Sequence, residues 1–410
     1  MRQSTLRILI LMLAAVLLLS ACREDEPSPL PPPPTPPVEP SSQVSALPTN
    51  GVQLTRTLPP APTVTVQPTA TAEIMAIATV ETTPTVASIS LQNQEDFGDD
   101  INPLTGKRVD DPAVLDRRPL AIKISNAPAK WVRPQSGLND ADLVFEHITE
   151  AGITRFTIIV YGETPPKVGP IRSARLIDLE LPAMYDASLA YSGSSDGVRQ
   201  KLLSADFRPR ILFSYERGYY RTGEDKPTEH TFYGNPETFW DVLEEKGLNQ
   251  RPSFNTYMSF SSDVPEGGQP ANEAIVDYDW TIINWHFDGM SGEYKRWTDG
   301  VEHLDANTEE QVSAANVAVI LAGHIEDTTI CEQSYNGVCT SYSVQPQIFG
   351  SGPAVVFRDG QRYDVTWQRI GRYDMLTFVD ENGQPFPLKP GNTWFQVIPV
   401  WYENPVASKP

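Results

Sequence analysis

The stretch NVAVILAGHI, residues Asn316–Ile325, is a nearly unbroken apolar run and predicts a buried central strand. Turn signals surround it, because Asp288-Gly289, Asp359-Gly360 and Asn382-Gly383 each separate apolar or alternating segments. These pairs favour the tight turns of β-hairpins, since aspartate, asparagine and glycine tolerate a positive φ. We therefore expect strands and turns over almost all of the chain from Ala274 onward.

The first half of the chain mixes strands with helices. Strands are predicted for three segments rich in β-branched and aromatic residues, PLAIKIS (Pro119–Ser125), DLVFEHI (Asp142–Ile148) and TRFTIIVYG (Thr154–Gly162). A helix is predicted between Asn235 and Gly247, with a proline at its first position. This order favours an α+β fold with a strand-rich C-terminal half. Whether the two halves share strands stays open at this point.

The N-terminus has the features of a secretory signal. Two arginines precede an apolar run, Ile8–Leu19, that is short for a membrane span. The run ends in Leu-Ser-Ala-Cys, which resembles the lipobox of bacterial lipoproteins. We predict a signal peptide over residues 1–21 and a lipid on Cys22, which would hold the protein on the extracytoplasmic face of a bacterial membrane. An ordinary cleaved signal with an unrelated cysteine is the alternative.

A disordered linker is predicted over residues 22–100. This segment contains 15 of the 38 prolines, in runs such as PLPPPPTPPVEP, and it lacks Trp and Tyr. It cannot bury enough apolar surface to offset the entropy lost on ordering. The formal net charge of −20 argues against nucleic acid as a partner and against close contact with an anionic bilayer.

The folded part is predicted as two regions, residues 101–262 and 263–410. The two cysteines outside the lipobox, Cys331 and Cys339, flank Asn336-Gly337. A local disulfide that closes a hairpin is the preferred interpretation, and free thiols are the alternative. No metal site and no cofactor are predicted, because the five histidines lack helical spacing and the cysteine pair lacks further ligands.

VGPIRSAR, residues Val168–Arg175, places two arginines directly after a Gly-Pro turn. We expect a helix to begin at Ser173, with Arg172 and Arg175 on one side of its N-terminus, and Pro182 to bend or split that helix. Free backbone N–H groups and two guanidiniums would suit a phosphate or a carboxylate. The alternative is that carboxylates of the protein itself pair with the arginines. The candidate partners are Glu146, Asp178 and Glu180.

Aromatic residues surround two further arginines, Arg217 and Arg221. This mixture suits a sugar or a peptide that is held by stacking and by charge, and half-buried packing is the alternative. The tyrosines concerned are Tyr215, Tyr219, Tyr220 and Tyr233.

Catalytic signatures are weak. Ser173 lacks the glycine flanks of a nucleophile elbow, and neither a Ser-x-x-Lys motif nor a Walker loop is present. The best acid and base groups are Glu146, His147 and Glu150 near one strand end, with His230 elsewhere in the chain. A solvated strand end is the alternative.

Five segments carry a resemblance to the YerB-like lipoprotein family, a bacterial family of unknown function. They cover much of residues 101–400, and VGPIRSAR is the most specific of them. The other four are RPQSGLNDADLVFEHITEAGITRF (Arg133–Phe156), EHTFYGNPETF (Glu229–Phe239), GSGPAVVFRDGQRYDVTW (Gly350–Trp367) and GNTWFQVIPV (Gly391–Val400). The resemblance implies a lipid-anchored extracytoplasmic protein with a layered αβ sandwich core, and it implies no reaction.

Two short motifs depart from the family pattern. Tyr191-Ser192-Gly193-Ser194 stands where relatives tend to have His-x-Gly-Ser, and Glu229–Tyr233 stands where they have a Pro-His-Asn-hydrophobic-Tyr motif. We therefore predict a tethered binding or scaffold module of the cell envelope that recognises an anionic or glycan-bearing ligand, such as a cell-wall glycan or peptide. The alternative is an envelope hydrolase. The candidate ligand-binding residues are Arg172, Ser173, Arg175, Glu146, His230 and Tyr233, and the hydrolase would use Glu146 or His147 with His230.

Overall fold

The apolar stretch that begins at Asn316 lies at the centre of the larger of the main sheets in the computed structural model, which describes residues 92–410. Residues Asn316–Ile320 pair with a neighbouring strand on each side and are buried. The prediction of a buried central strand is therefore confirmed. The predicted signal peptide 1–21, the lipid on Cys22 and most of the predicted linker lie outside the described residues.

Ten strands of the described part of the chain precede residue 290. They are β1 (Leu120–Ser125), β2 (Leu143–Ile148), β3 (Thr154–Val160), β4 (Ser188–Ala190), β5 (Ile211–Leu212), β6 (Tyr219–Arg221), β7 (Phe232–Gly234), β8 (Gln269–Pro270), β9 (Glu273–Asp277) and β10 (Ile282–Asp288). Ten more follow. They are β11 (Glu293–Thr298), β12 (Val301–Glu302), β13 (Ser313–Ala314), β14 (Asn316–Tyr335), β15 (Val338–Gln347), β16 (Gly350–Arg358), β17 (Gln361–Arg369), β18 (Thr377–Val379), β19 (Thr393–Pro399) and β20 (Val406–Lys409).

Helices are short and, within the described residues, all precede Gly247. The α-helices are α1 (Gln94–Phe97), α2 (Ala129–Val132), α3 (Leu181–Met184), α4 (Asp196–Leu203) and α5 (Pro236–Glu245). The 3₁₀ turns are Pro112–Asp116, Glu150–Gly152, Leu176–Leu179, Arg208–Arg210 and Thr228–His230. The protein is thus mixed in α and β structure with a strand-rich C-terminal half, as the sequence predicts.

The larger sheet joins the two halves of the chain. Its order is β18-β17-β16-β14-β19-β2-β3-β1-β4-β5, with β15 paired to β14 and β8 paired to β17. Strand β19 lies parallel to both β14 and β2, so strands from both predicted regions share hydrogen bonds. The question left open by the sequence is settled in favour of shared strands, and the exact boundaries of the two regions stay a prediction.

Alternate residues of the larger sheet pack into two separate apolar clusters, because successive side chains of a strand point to opposite faces. Val144 belongs to one cluster and Phe145 to the other. The cluster with Val144 also takes in Val276 and Trp285 from the smaller sheet, whose order is β12-β11-β10-β9-β20 with β13 paired to β11. Strands β6 and β7 form a separate pair.

The predicted turns and the best-marked helix are confirmed. Asp359 and Gly360 link β16 to β17 with φ values of 52° and 70°, which fits a hairpin turn that needs positive φ at both positions. The other two predicted turn pairs also lie between paired segments. The side chain of Asn235 caps α5 by accepting a hydrogen bond from the backbone N–H of Thr238 at 2.8 Å.

The linker ends earlier than predicted. The helix α1 lies within residues 92–100, and its Phe97 is 2% exposed. The Phe97 ring packs against Tyr257 at a centroid distance of 5.4 Å and against Phe260 at 6.3 Å. A single aromatic residue in a polar, acidic segment is a weak sequence signal, and burial against partners some 160 residues away decides its structure.

A disulfide joins Cys331 to Cys339 near the tip of the β14–β15 hairpin. Replacing both cysteines by serine is expected to lower the free energy of unfolding by about 2 kcal/mol, because the unfolded chain regains the entropy of an open loop. Thermal melts with and without a reductant measure this loss. The reductant should shift only the wild-type melting temperature, and identical melts for both proteins would rule out a stabilising disulfide.

Candidate functional site

The segment with the two arginines is extended and lies between neighbours that bind its backbone. The N–H of Arg172 donates to the carbonyl of Lys123 at 2.9 Å, and the N–H of Ala174 donates to the carbonyl of Gly193 at 3.0 Å. Residue 193 belongs to the Tyr-Ser-Gly-Ser stretch that departs from the family pattern. The arginine segment is therefore held by β1 and by the loop after β4.

The prediction that a helix begins at Ser173 is wrong. The first helical residues form the 3₁₀ turn Leu176–Leu179, and the N–H of Arg175 donates to the Asp178 carboxylate at 2.6 Å. The 3₁₀ turn Leu176–Leu179 and α3 meet at Glu180, so the helical stretch is split directly before Pro182, as predicted. These backbone N–H groups already have acceptors within the protein, and they offer no anion site.

Arg175 is a structural residue. Its guanidinium is buried and forms a forked pair with Glu150, whose Oε2 accepts from Nε at 2.6 Å and whose Oε1 accepts from Nη2. The predicted partners were Glu146, Asp178 and Glu180, and the strand-end residue Glu150 takes their place. The positive charge of Arg175 is therefore matched by an acid of the protein.

Glu150 also serves a second buried arginine. Arg155 donates to Glu150 Oε1 at 3.0 Å and to the carbonyl of Ser173 at 3.1 Å. Burial acts to raise the pKa of the Glu150 carboxyl, but the hydrogen bond from Arg175 and the charges of both arginines outweigh it and lower the pKa to about 2. Glu150 is therefore ionised at every physiological pH.

The β14–β15 hairpin reaches the same cluster. Its Glu332 side chain lies 3.4 Å from Nη2 of Arg175 and accepts from the Ser195 hydroxyl at 2.9 Å. Glu332 is adjacent to the disulfide-bonded Cys331. A carboxylate from a distant hairpin thus completes the shell of acids around Arg175, and the sequence gives no signal for it.

Arg172 differs from Arg175 because its side chain is half-buried and pairs with no acid. Within residues 92–410, its guanidinium takes part in no hydrogen bond and no ion pair. Glu229 attracts it through space only. The hydroxyl of the half-buried Ser173 likewise has no hydrogen-bond partner among the described residues. The guanidinium of Arg172 is therefore a half-buried cation that has no hydrogen-bond or ion-pair partner among the described residues.

His230 lies beside Arg172 and is 3% exposed. Its Nδ1 atom is buried without a hydrogen-bond partner in the described chain, and its Nε2 atom lies 4.0 Å from Glu229. Burial, and then the charge of Arg172, lower the pKa of the imidazole below its ordinary value. An unpaired buried ring nitrogen and an unpaired guanidinium whose charge reaches it are groups suited to a small anion.

Tyr233 packs on Gly169, at the start of the arginine segment. Its ring leaves no room for a side chain at Gly169, where an added Cβ would lie 2.6 Å from Cδ1. The Tyr220 ring lies 6.4 Å away, and burial raises the pKa of Tyr233 to about 12. The predicted tyrosine cluster is divided, since the half-buried Tyr219 donates to the carbonyl of Leu212, and Tyr215 stacks on Phe213 at the surface.

Glu146 and His147 lie on opposite faces of β2, because they are consecutive in a strand. Glu146 pairs with Arg296 at 2.9 Å, whereas His147 Nε2 lies 2.6 Å from Nζ of Lys123. Both residues are fully buried, and neither has a hydrogen bond or an ion pair with His230 in the described part of the chain. Glu146 and His147 therefore cannot act together in one site.

A buried lysine, Lys123, contacts His147 and lies on the same face of the sheet. Lys123 Nζ donates to Thr157 Oγ1 at 2.9 Å and lies 2.9 Å from Asp178 Oδ2. Burial lowers the pKa of Lys123 to about 8, although the charge of Asp178 opposes this effect. The lysine inside the apolar segment PLAIKIS is the sequence signal for this pair, since a lysine in a buried strand needs an acid partner.

Comparisons with known proteins agree with this architecture. Residues 104–249 match the family model described as "Protein of unknown function (DUF3048) N-terminal domain", and residues 275–395 match the C-terminal domain of the same family. The chain is also 29% identical over 307 residues to the "Putative lipoprotein YerB" of Bacillus subtilis (strain 168), which covers 72% of this chain and 86% of the relative. The chain belongs to the YerB-like family.

A solved member of the YerB-like family has the same fold. The crystal structure of the YerB protein from Bacillus subtilis superposes with a TM-score of 0.62 at 26% identity, over 76% of this chain and 99% of that one. The name of the relative indicates a lipoprotein that is associated with a membrane through its lipid. No helix within residues 92–410 is long and apolar enough to cross a bilayer.

Proposed function

We propose that this YerB-like protein is a binding module of the cell envelope that recognises an anionic group of a cell-wall glycan or peptide through Arg172. The observation that carries the proposal is the absence of a protein partner for the Arg172 guanidinium, next to the unpaired Nδ1 atom of buried His230, among the described residues. A forked guanidinium and a ring nitrogen together suit a carboxylate or a phosphate.

The other residues of the predicted site have different roles in this proposal. Arg175 does not bind the ligand in this proposal, because Glu150 and Glu332 already pair with its guanidinium. Ser173 offers a hydroxyl to the same ligand, and Tyr233 forms a wall. Glu146 is excluded from the site because its carboxylate pairs with an arginine on the other face of the sheet.

The position of the module in the cell follows from the N-terminal prediction. Cleavage after residue 21 and a lipid on Cys22 would leave the domain outside the membrane, on a Pro-rich tether of about 70 residues that reaches on average roughly 50 Å. A tether of this length would let the Arg172 site contact wall material above the membrane.

The binding test uses the full-length chain in detergent, with inorganic phosphate and muramyl dipeptide as probes. Arg172→Gln is expected to weaken binding about tenfold, because a charged hydrogen bond to a ligand contributes about 1.5–3 kcal/mol. Arg217→Gln is the matched control, since Arg217 is an exposed arginine that pairs with Glu245. Thermal shift and isothermal titration measure the binding. Equal affinity of Arg172→Gln and wild type for both probes would contradict the proposal.

Binding of a non-titrating anion, such as inorganic sulfate, should tighten severalfold as the pH falls from 7 to 5. The pKa of His230 is lowered in the free protein, and an anion at Nδ1 favours the protonated ring, so binding takes up a proton. Titrations at a series of pH values measure this effect. His230→Gln should abolish the pH dependence, and a flat profile in the wild type would remove His230 from the site.

A further inference from the structure

A second surface lies where the parallel strands β19 and β2 end and where the parallel pairing of β14 with β19 stops, at Ala322 and Pro399. The carboxyl ends of neighbouring parallel strands meet at one edge of a sheet, a common position for ligands. Trp401 follows β19 at this edge and is 57% exposed. Trp280, in the turn between β9 and β10, is 75% exposed. The other tryptophans of residues 92–410 are not among the exposed large apolar side chains.

The two tryptophans lie near the ends of two neighbouring parallel strands, because Val397 of β19 pairs with His147 of β2. The Trp280 indole lies over the turn that follows β2, since a Cβ added to Gly152 would lie 2.3 Å from its Cδ1 atom. The N–H of Asp277, just before Trp280, donates to the carbonyl of Pro405 at 2.9 Å. The loop after β19 therefore packs on the turn that carries Trp280.

Both aromatic residues of this loop are held in place by neighbours. The buried ring of His324 packs edge-to-face on Trp401 at a centroid distance of 5.7 Å. Tyr402 lies three residues before Pro405, whose carbonyl accepts from Asp277, and the N–H of Asp279 donates to Asp277 Oδ1 at 2.8 Å. Burial, and then the carboxylates of Asp279 and Asp277, raise the pKa of the Tyr402 hydroxyl. We call Asp277, Asp279, Trp280, Trp401 and Tyr402 the tryptophan edge.

The acids of the tryptophan edge are not neutralised by the protein. None of the ion pairs between described residues includes Asp277 or Asp279, whereas the acids around the Arg175 cluster are all paired with buried arginines. Exposed indole rings beside unpaired carboxylates attract cations, because the negative face of the ring and the carboxylate charge act in the same direction. The surface is complementary to a positive group.

We propose that the tryptophan edge binds a primary ammonium group carried by a peptide outside the membrane, as a lysine side chain carries it. A peptide fits this surface better than a bilayer does, because the carboxylates would be repelled by anionic lipid headgroups. The proposal does not depend on the Arg172 site, which has the opposite charge preference.

The direct test titrates the full-length chain in detergent with Nα-acetyl-lysine methylamide and with its Nε-acetylated form, which has no charge. Indole N–H signals in NMR spectra report on each tryptophan separately, after assignment with Trp280→Phe and Trp401→Phe. We expect the charged probe to shift the signals of Trp280 and Trp401, and the neutral probe to bind at least several times more weakly. Equal binding of the two probes, or no binding of either, would overturn the proposal.

Variants locate the site. Trp280→Ala and Trp401→Ala should each weaken binding of the charged probe about two- to fivefold, the range expected for a cation on an exposed ring. Asp279→Asn should weaken it as well, and the exposed Tyr335→Ala, on the distant hairpin tip, should leave it unchanged. Thermal melts check that each variant is folded. If the tryptophan variants bind as Tyr335→Ala does, the site is elsewhere.

Vesicles distinguish a peptide from a membrane as the occupant. The chain without its lipid is mixed with phosphatidylcholine vesicles and with vesicles that contain phosphatidylglycerol, and sedimentation measures binding. We expect no binding that depends on Trp280 or Trp401. Vesicle binding that both tryptophan substitutions abolish would identify the edge as a membrane contact and would contradict the peptide proposal.

Discussion

Glu150→Gln is expected to lower the free energy of unfolding by about 3–5 kcal/mol, because two buried guanidiniums would lose their shared carboxylate. Arg175 and Arg155 both donate to Glu150, and each of the three side chains is at most 8% exposed. Among the described residues, Arg155 would then keep no acid partner, and Arg175 would keep only Glu332, 3.4 Å away. Urea unfolding followed by circular dichroism measures the loss.

The matched control is Glu245→Gln. Glu245 also forms an ion pair with an arginine, Arg217, but both side chains are more than half exposed. An exposed pair of this kind contributes less than about 1 kcal/mol. The two substitutions make the same chemical change, so their difference isolates burial. A loss for Glu150→Gln no larger than that of the control would contradict a structural role for the Arg175 cluster.

Asp178→Asn is expected to cost about 3 kcal/mol near pH 6, since it leaves the charged Lys123 buried without an acid. Lys123 is fully buried, and its pKa in the folded wild type is lowered to about 8. Removing the carboxylate charge lowers that pKa further. Unfolding free energies at a series of pH values between 6 and 9 measure the effect.

The sign of the pH dependence follows from proton counting. An unfolded lysine titrates near pH ~10.4, so the unfolded state of the variant binds more protons than its folded state once the pH exceeds the lowered folded pKa of Lys123. The stability of the variant therefore rises with pH once the pH exceeds the folded pKa of its Lys123. The stability of the wild type rises with pH only above about 8. The loss caused by Asp178→Asn should shrink as the pH rises to about 8 and then stay constant. Glu150→Gln should show a constant loss over this range, and a parallel decline would contradict the assignment to Lys123.

Local patterns in the sequence predict the strands well. Asn316–Ile320 is apolar because both of its neighbours in the sheet and both faces of the sheet bury it, whereas Ile325 at the end of the same stretch is 58% exposed. Asp359-Gly360 and Asn235-Pro236 have conformational preferences that few contexts override. By contrast, Phe97 folds against residues far along the chain, and no local pattern marks it.

The site is predicted only in part, because its charges pair over long sequence distances. The sequence places Arg172 and Arg175 together, yet Glu150 and Glu332 reach only the second of them. Alternation along β2 puts Glu146 and His147 on opposite faces of the sheet, so a hydrolase could use only one of them. The predicted helix start at Ser173 fails because neighbouring strands and loops bind the backbone there.

The most direct test of the Arg172 site compares Arg172→Gln with wild type. Sedimentation of the full-length chain with purified cell-wall material measures binding, and a urea unfolding curve measures stability. For Arg172→Gln we expect an unfolding free energy within about 0.5 kcal/mol of wild type, as for other surface substitutions. We expect its binding to the wall material to be about tenfold weaker than that of wild type. An unfolding free energy lowered by several kcal/mol, or wall binding equal to wild type, would contradict the assignment of Arg172 to a ligand.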